Sequence, residues 1–277
     1  MIRTRFALNR IIQPKLSLED FFKLTKDLDL NKIELRNDLP GGKIIDDYTI
    51  ENFNALSKKY GVEIIAINAL QQFNLSDILS EKKTELREMI TLAASINCKA
   101  IVLCPNNAFS FQKNEREVFR ETLASLKAFG PLLQESGIQG LIEPLGFTEC
   151  SLRSQLRAQK AIQESGFSSY KIVHDTFHHF IGPDTIETII NDYDVSYIGL
   201  VHVCGIECEM SLQQYKDKHR ILVNEKDRLQ TKAQLEILLK LGYRGNISFE
   251  PFSKSIQEME IESLKSSIDS SIELLSE

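Results

Sequence analysis

Four side chains of types that commonly bind metal ions follow short apolar runs in the second half of this 277-residue chain. They are Glu143 in GLIEPLG, Asp175 in KIVHDTFHH, His202 in GLVHVCG and Glu250 in NISFEPF. Each run is short enough to be a buried strand, and a carboxylate or imidazole that closes such a strand is costly unless something pairs with it. Four such endings predict one shared partner, most simply a divalent cation.

The joint pattern carries this prediction, because each residue taken singly has an ordinary structural explanation. A glutamate at a strand end usually caps a helix or forms a salt bridge, and a histidine can be buried with one hydrogen bond. Three carboxylates and one imidazole suit Mn²⁺, Co²⁺, Mg²⁺ or Zn²⁺ and leave coordination positions open for substrate oxygens. Ligand types alone do not decide between these ions.

The elements that must position these side chains alternate regularly along the chain. The β-type runs are Arg3–Leu8, Lys32–Arg36, Glu63–Asn68, Ala100–Cys104, Gln139–Glu143, Lys171–Asp175, Tyr197–Val203 and Asn246–Glu250. Segments of helical spacing are Leu18–Leu28, Thr49–Tyr60, Ser80–Ile96, Glu115–Gln134, Leu152–Ser165, Pro183–Asp192, Thr231–Leu241 and Ile256–Leu275. Strict alternation predicts parallel strands joined by right-handed crossovers. Eight such units predict an α/β fold, a closed (β/α)8 TIM barrel that occupies residues 1–277 as a single domain.

Active sites of such barrels lie at the C-terminal ends of the strands. Glu143, Asp175, His202 and Glu250 close the fifth to eighth strands, which are neighbours around the ring. We therefore expect their side chains to converge on one point.

Composition excludes several function classes. Net charge is −6 with no Lys/Arg cluster, so the electrostatic footprint of a nucleic-acid-binding protein is missing, although a small anionic substrate stays compatible. No segment reaches the roughly 18 apolar residues of a membrane helix, and the N-terminus lacks the pattern of a secretory signal. Five scattered cysteines fit a reducing, cytoplasmic setting rather than a disulfide framework. The oligomeric state stays open, a homodimer included.

The order and spacing of several motifs resemble one known group of enzymes. These motifs are KIELR, IIAINAL, IEPLGFTEC, HDTFHHFIG, VHV, EKDR and GYRGNISFEPF, which together cover essentially the whole chain. The chain resembles the xylose-isomerase-like barrel superfamily of sugar isomerases and epimerases. Within it, the chain is most similar to the inosose (2-keto-myo-inositol) isomerase branch, which places it in carbohydrate metabolism.

The resemblance implies roles for individual residues. Glu143, Asp175, His202 and Glu250 would bind one divalent metal, and Glu143 and Glu250 would also move a substrate proton through an enediolate. His178, Glu149 and Arg228 would bind substrate oxygens. A surface salt bridge with Asp227 is an equal alternative for Arg228. The implied activity is metal-dependent isomerisation or epimerisation of a small polyhydroxylated ketone, with phosphorylation of the substrate left open.

Other polar residues near the expected mouth of the barrel each have two possible roles. Glu34, Arg36 and Asn68 end the second and third strands and either recognise substrate or anchor loops. His174 precedes Asp175 on a strand and should point to the opposite side, so we expect it to be structural. Aromatic rings could wall the pocket or simply pack in the core; the candidates are Phe73, Phe109, Phe111 and Phe177. A zinc–thiolate site at Cys204 and Cys208 is disfavoured by the three carboxylates nearby.

Two departures from the family pattern bear on the substrate. Relatives carry Pro-Gly-x-Gly after the Asp-Arg pair, whereas this chain reads LQTKAQ. The stretch Ile206–Arg220 is longer than in the epimerases and could form a lid.

Three other functions compete with this interpretation. A metal-dependent dehydratase or lyase on a cyclic polyol or shikimate-type acid is not separated sharply from an isomerase. A barrel that only binds sugar would not need both Glu143 and Glu250. An abasic-site endonuclease needs histidines from the early strands, but all five histidines lie between His174 and His219. Leu229 also stands where a companion histidine to Asp227 is required.

Overall fold

The alternation of strands and helices expected from the sequence is present in the computed structural model, which describes residues 3–108 and 113–276. In these residues every strand pairs in parallel with the next, and the last pairs with the first, so the sheet closes into a barrel. The strands are β1 Phe6–Asn9, β2 Lys32–Arg36, β3 Glu63–Leu70, β4 Ala100–Leu103, β5 Gln139–Ile142, β6 Tyr170–Asp175, β7 Ile198–Val203 and β8 Asn246–Phe249. The predicted (β/α)8 barrel is confirmed.

Helices cover the outside of the barrel between these strands. They are α1 Leu18–Asp27, α2 Ile50–Tyr60, α3 Leu79–Ser95, α4 Glu115–Ser136, α5 Gln155–Ser165, α6 Thr176–Ile181, α7 Ile186–Asp192, α8 Thr231–Lys240, α9 Lys254–Gln257 and α10 Ile261–Ser276. None of the described helices has the length and apolar character needed to cross a membrane.

Several boundaries differ from the sequence-based expectation, and α6 was not expected. Two differences lie near the ends of the chain. Arg3–Arg5 forms a 3₁₀ turn rather than the start of β1. The predicted helix Ile256–Leu275 is two helices, α9 and α10. The amide of Gln13 donates to the carbonyls of Ile256 and Met259, at 3.3 and 3.2 Å. These bonds satisfy carbonyls that a continuous helix would otherwise have bonded, so the chain can turn there.

The side chains along each strand alternate between two environments. Because alternate residues share a face, Leu141, Val173 and Leu200 point the same way as the ligand candidates two positions later. All three belong to a buried cluster of mostly small apolar residues. This cluster fills the barrel interior directly beneath the candidate ligands, whereas the larger apolar cluster packs the sheet against the helices.

Candidate metal centre

The predicted ligands converge at the C-terminal mouth of the barrel. One ligand atom from each of Glu143, Asp175, His202 and Glu250 lies within 4.8 Å of all the others, and all four residues are buried. Nδ1 of His202 is 2.9 Å from Glu143 Oε1, 3.2 Å from Glu250 Oε2 and 3.8 Å from Asp175 Oδ2. Across residues 3–108 and 113–276, this is the one group of three or more such side chains arranged to hold a metal ion.

Backbone hydrogen bonds fix where three of these side chains point. The N–H of Glu143 donates to the Leu103 carbonyl, and the N–H of Glu250 donates to that of Val203, so both residues extend the barrel ladder beyond their strands. Asp175 ends β6 and caps α6. Its Oδ1 accepts from the backbone N–H groups of Phe177 and His178, at 2.8 and 2.9 Å. The other oxygen, Oδ2, faces the cluster.

Glu34 holds the imidazole of the candidate ligand His202 on the side away from the cluster. Nε2 of His202 is 3.1 Å from Glu34 Oε2, and the same oxygen accepts from Asn68 Nδ2 at 2.7 Å. Metal-binding histidines usually donate their other ring N–H to a carboxylate, which fixes the ring and raises its basicity. With Nε2 bonded to Glu34, Nδ1 is the nitrogen that points into the cluster.

Two buried arginines hold the Glu250 carboxylate by both of its oxygens. Nη1 of Arg36 donates to Oε1 at 2.7 Å, and Asn9 Nδ2 donates to the same oxygen at 3.1 Å. Nη2 of Arg220 donates to Oε2 at 2.7 Å and also to Asp175 Oδ2 at 2.6 Å. Charge-assisted bonds of this kind are short and strong, so the position of Glu250 is closely fixed.

The charges of this cluster shift the pKa values of its members. Burial opposes the ionised form of Glu250, but His202 and Arg220 hold its pKa well below the ordinary value. Burial would lower the pKa of His202, yet Glu34, Glu250 and Glu143 raise it well above the ordinary value. The raised pKa of His202 shows that negative charge exceeds positive charge around the imidazole.

The residues present fit a divalent cation. Four buried carboxylates, those of Glu34, Glu143, Asp175 and Glu250, face the two buried guanidiniums of Arg36 and Arg220. With His202 neutral, two negative charges stay uncompensated, which is costly in a buried site. A divalent ion would balance them, and the donor set of one imidazole and three carboxylates suits such an ion.

His178 lies beside the cluster as a neutral imidazole. Burial and the charge of Arg220 lower its pKa to about 4. Its Nδ1 accepts from the backbone N–H of Gly146 at 3.2 Å, so the ring proton lies on Nε2. A Cβ on Gly146 would lie 2.2 Å from the His178 carbonyl oxygen, so this close approach requires glycine.

Other predicted substrate-binding residues occupy different places. Glu34 and Asn68 contact each other and are fully buried behind His202. Glu149 binds Lys216 at 3.0 Å on the 206–220 segment, which we define as Ile206–Arg220. Arg228 pairs with Glu209 at 3.2 Å, and 41% of its side chain is exposed. Arg228 is thus not part of the cluster and, contrary to the alternative considered for it, pairs with Glu209 instead of Asp227.

Arg220 is the cluster residue that sequence reasoning missed. It ends the 206–220 segment and is 1% exposed. An arginine at the end of an irregular excursion has no periodicity to mark it as buried. The structure brings Arg220 to the site because the chain returns at Ile221 to pair with Gly205 next to β7.

The remaining sequence-based expectations concern residues around the site. His174 points away from the barrel interior as predicted: its ring nitrogens lie 3.1 and 3.0 Å from Gln155 and Gln234 on α5 and α8. Cys204 is buried and Cys208 is exposed, and both are free thiols. Phe73 and Phe177 are fully buried in apolar clusters, whereas Phe109 and Phe111 lie outside the described residues.

Comparison with known proteins places this barrel in a family. The model of the xylose isomerase-like TIM barrel family matches residues 22–276. The chain belongs to this family. A xylose isomerase domain-containing protein of Salmonella typhimurium LT2 is 37% identical, and its solved structure has a TM-score of 0.92 and covers 100% of this chain and 99% of its own.

Two further proteins are similar to this chain over nearly the whole length. Inosose isomerase of Halalkalibacterium halodurans is 23% identical over 264 residues, which span 91% of this chain and 92% of that protein. The solved structure of the IolI protein, described with a bound zinc atom, has a TM-score of 0.89 at 18% identity and covers 99% of this chain and 98% of its own. At that identity the likeness to IolI shows the shared fold.

Proposed function

We propose that this protein is a divalent-metal-dependent isomerase or epimerase of a small polyhydroxylated ketone, either a ketose or an inosose. The observation that carries the proposal is the convergence of Glu143 and Glu250 with Asp175 and His202, whose ligand atoms lie within 4.8 Å of one another. The relative from Halalkalibacterium halodurans that is named inosose isomerase and the zinc described in IolI support it.

Epimerisation needs a proton carrier on each side of the substrate carbon next to the carbonyl, and isomerisation needs at least one. One glutamate takes that proton, so the C–H bond breaks, a carboxyl O–H forms and the substrate becomes an enediolate. Return of a proton to the opposite face gives an epimer, and return to the neighbouring carbon gives an isomer. An ion held by the four ligands would stabilise the negative charge that develops on the substrate oxygens.

Glu143 and Glu250 are the proposed proton carriers, and their surroundings differ. Glu250 is held through both oxygens by Arg36, Asn9 and Arg220. Glu143 has a weaker set of partners: His202 at Oε1 and the Cys104 thiol, 3.5 Å from Oε2. A thiol is a weak donor, so the Glu143 carboxylate is freer to turn toward a substrate.

Neutral His178 is the proposed donor to a substrate oxygen. Its proton is on Nε2, and its low pKa keeps it neutral at physiological pH. Glu34, Asn68, Glu149 and Arg228 stay predictions as substrate contacts. For Glu34 and Asn68, the contact with His202 supports a role in orienting that ligand.

Exchange of a substrate hydrogen with solvent tests the proton transfer. Ketoses and inososes are incubated with the protein and Mn²⁺ in D₂O, and NMR follows deuterium incorporation next to the carbonyl. We expect exchange with at least one compound, and its loss in Glu250→Gln and Glu143→Gln. Glu63→Gln is the matched control, because Glu63 is an exposed glutamate at the opposite mouth of the barrel.

Two outcomes would contradict the proposal. Exchange that persists in Glu250→Gln would remove this residue from the mechanism. Loss of water from the substrate to give an unsaturated product would instead indicate the dehydratase or lyase.

A further inference from the structure

Arg220 occupies the same ligand oxygens that face His202. Its Nη2 lies 2.6 Å from Asp175 Oδ2 and 2.7 Å from Glu250 Oε2. These two oxygens also face His202 Nδ1, at 3.8 and 3.2 Å, beside Glu143 Oε1 at 2.9 Å. A guanidinium that bridges them neutralises negative charge where an ion would otherwise do so.

Arg36 provides a contrast at the same carboxylate. It binds Glu250 through Oε1, the oxygen turned away from His202, and its other nitrogens form two bonds with Asp38, at 2.8 and 2.7 Å. Arg36 can keep these bonds whether or not an ion is present. Arg220 cannot keep both of its bonds if the two oxygens turn toward an ion.

Arg220 has a second set of contacts, which would remain if its guanidinium moved away from the two ligand oxygens. Nη1 lies 3.2 Å from Asp217, whose side chain is 45% exposed at the mouth. The guanidinium also lies over the rings of Phe177 and Phe252, at 5.1 and 4.7 Å. Movement toward Asp217 would therefore keep the charge of Arg220 paired while freeing the two ligand oxygens.

The 206–220 segment that ends in Arg220 is anchored at Ile206 and Tyr215, which pack in a buried apolar cluster, whereas much of the rest is exposed. Its start and end are tied by the paired backbones of Gly205 and Ile221. Between them, Lys216 binds Glu149 at 3.0 Å and the Tyr215 hydroxyl donates to the Cys208 carbonyl at 2.9 Å. The stretches 207–209 and 211–214 are exposed. Exposed stretches of this kind have few buried contacts and can move at low free-energy cost.

We propose that Arg220 is an internal cation that a metal ion displaces, so that metal binding and the position of the 206–220 segment are coupled. The inference rests on the metal site of the proposed function and adds a way in which the protein regulates metal binding at that site. Because Arg220 stabilises the metal-free carboxylates, it weakens metal binding by the free energy of the bonds that it must give up.

Metal affinity in matched arginine variants tests the displacement. Mn²⁺ dissociation constants are measured by calorimetry for the wild-type protein, Arg220→Met and Arg36→Met. Both variants remove one buried positive charge at Glu250, so the difference between them isolates the displacement. We expect Arg220→Met to bind Mn²⁺ more tightly than Arg36→Met by about tenfold, the equivalent of one charge-assisted hydrogen bond.

Equal affinities in the two variants, or weaker binding by Arg220→Met, would overturn the inference. Absence of Mn²⁺ binding by the wild-type protein would instead contradict the proposed function. The two failures are therefore distinguishable.

Cys208 gives a second measurement that does not depend on the folding of a variant. It is exposed on the 206–220 segment, and the other four cysteines are buried. Its reaction rate with a chromogenic disulfide reagent is followed in wild-type protein with and without Mn²⁺, and Cys208→Ser identifies the signal. We expect saturating Mn²⁺ to speed the reaction about threefold or more, because displacement of Arg220 loosens the segment. An unchanged rate at saturating Mn²⁺ would overturn the coupling.

Discussion

At the scale of single residues, the site depends as much on the partners of the ligands as on the ligands. His202 is held by Glu34, and Glu34 is held in turn by Asn68 from the next strand. These partners decide which ring nitrogen faces the cluster. The arginines that bind Glu250 determine which of its carboxylate oxygens can turn toward a metal ion.

Removal of the Glu34 charge should weaken metal binding without removing any ligand. Glu34→Gln keeps the side-chain shape but loses the carboxylate that accepts from His202 Nε2. We expect the dissociation constant for Mn²⁺ to rise about 10–100-fold, as is usual when such a partner is lost. Calorimetric titration measures it, with Glu63→Gln as the control. An unchanged dissociation constant would show that Glu34 does not orient the ligand.

The sequence predicted that the four ligand candidates converge, but it did not indicate that Arg220 joins them, for a physical reason. Glu143, Asp175, His202 and Glu250 are each a polar residue that ends an apolar run, and closure of a barrel brings such ends together. Arg220 follows an irregular segment, so only the path of that segment in three dimensions brings it to Glu250 and Asp175. Arg228, which the family resemblance suggested, lies with Glu209 at the surface.

At the scale of elements, the loop after β5 must pass very close to α6. Gly146 donates its N–H to His178 Nδ1, and a Cβ there would also meet the Gly182 nitrogen at 2.9 Å. Backbone atoms cannot move aside as a flexible side chain can. The glycine in IEPLGFTEC thus fixes both the loop and the proton position of His178.

An added methyl group at this position should therefore disturb the loop and the histidine together. We expect Gly146→Ala to lower the free energy of unfolding by about 1–3 kcal/mol, the usual cost of overpacking. It should also slow substrate exchange, because His178 loses its partner. Urea unfolding and the NMR assay measure the two effects, with Thr148→Ala in the same loop as control. If Gly146→Ala kept the wild-type free energy of unfolding and the wild-type exchange rate, the close approach of Gly146 to α6 would be contradicted.

Local signals marked most element boundaries, whereas long-range contacts decided the others. Gly61, Gly137 and Gly166 each follow a helical segment and end the helix in the left-handed conformation, which glycine adopts without steric cost. The break between α9 and α10 depends on Gln13, which lies more than two hundred residues earlier in the chain. No local pattern could reveal that contact.

At the scale of the whole molecule, buried histidines make stability depend on pH. Burial and neighbouring His179 lower the pKa of His174 from the ordinary 6.5 to about 3, although Gln234 opposes this. The unfolded chain therefore binds a proton between these values when the folded protein does not. Stability from neutral His174 is complete above pH 6.5 and falls as pH decreases toward 3.

This linkage predicts a measurable difference between wild-type protein and His174→Gln. From about pH 7.5 to about pH 5, His174 should account for a loss of about 2 kcal/mol in the free energy of unfolding. The variant should show a shallower decrease over the same range, whatever its stability at neutral pH. Urea unfolding at several pH values measures both slopes. Equal slopes would mean that His174 does not stay neutral in the folded protein.

The barrel itself was predictable from the whole chain, whereas the substrate was not. Eight alternating units specify the closed sheet, and its interior is filled by small residues such as Val173 and Leu200. The occupation of residues 1–277 by a single domain stays a prediction. Substrate choice depends on the mouth, where the irregular 206–220 segment and LQTKAQ leave no periodic pattern to interpret.

The metal content of the purified chain tests the central claim most directly. The protein is loaded with Mn²⁺ or Zn²⁺, freed of loosely bound metal and analysed by elemental mass spectrometry. We expect about one ion per chain, since the four ligands form one site. His202→Ala and Glu143→Ala should lose the ion, and Glu63→Gln should keep it. Wild-type protein that retains no ion after loading would contradict the account.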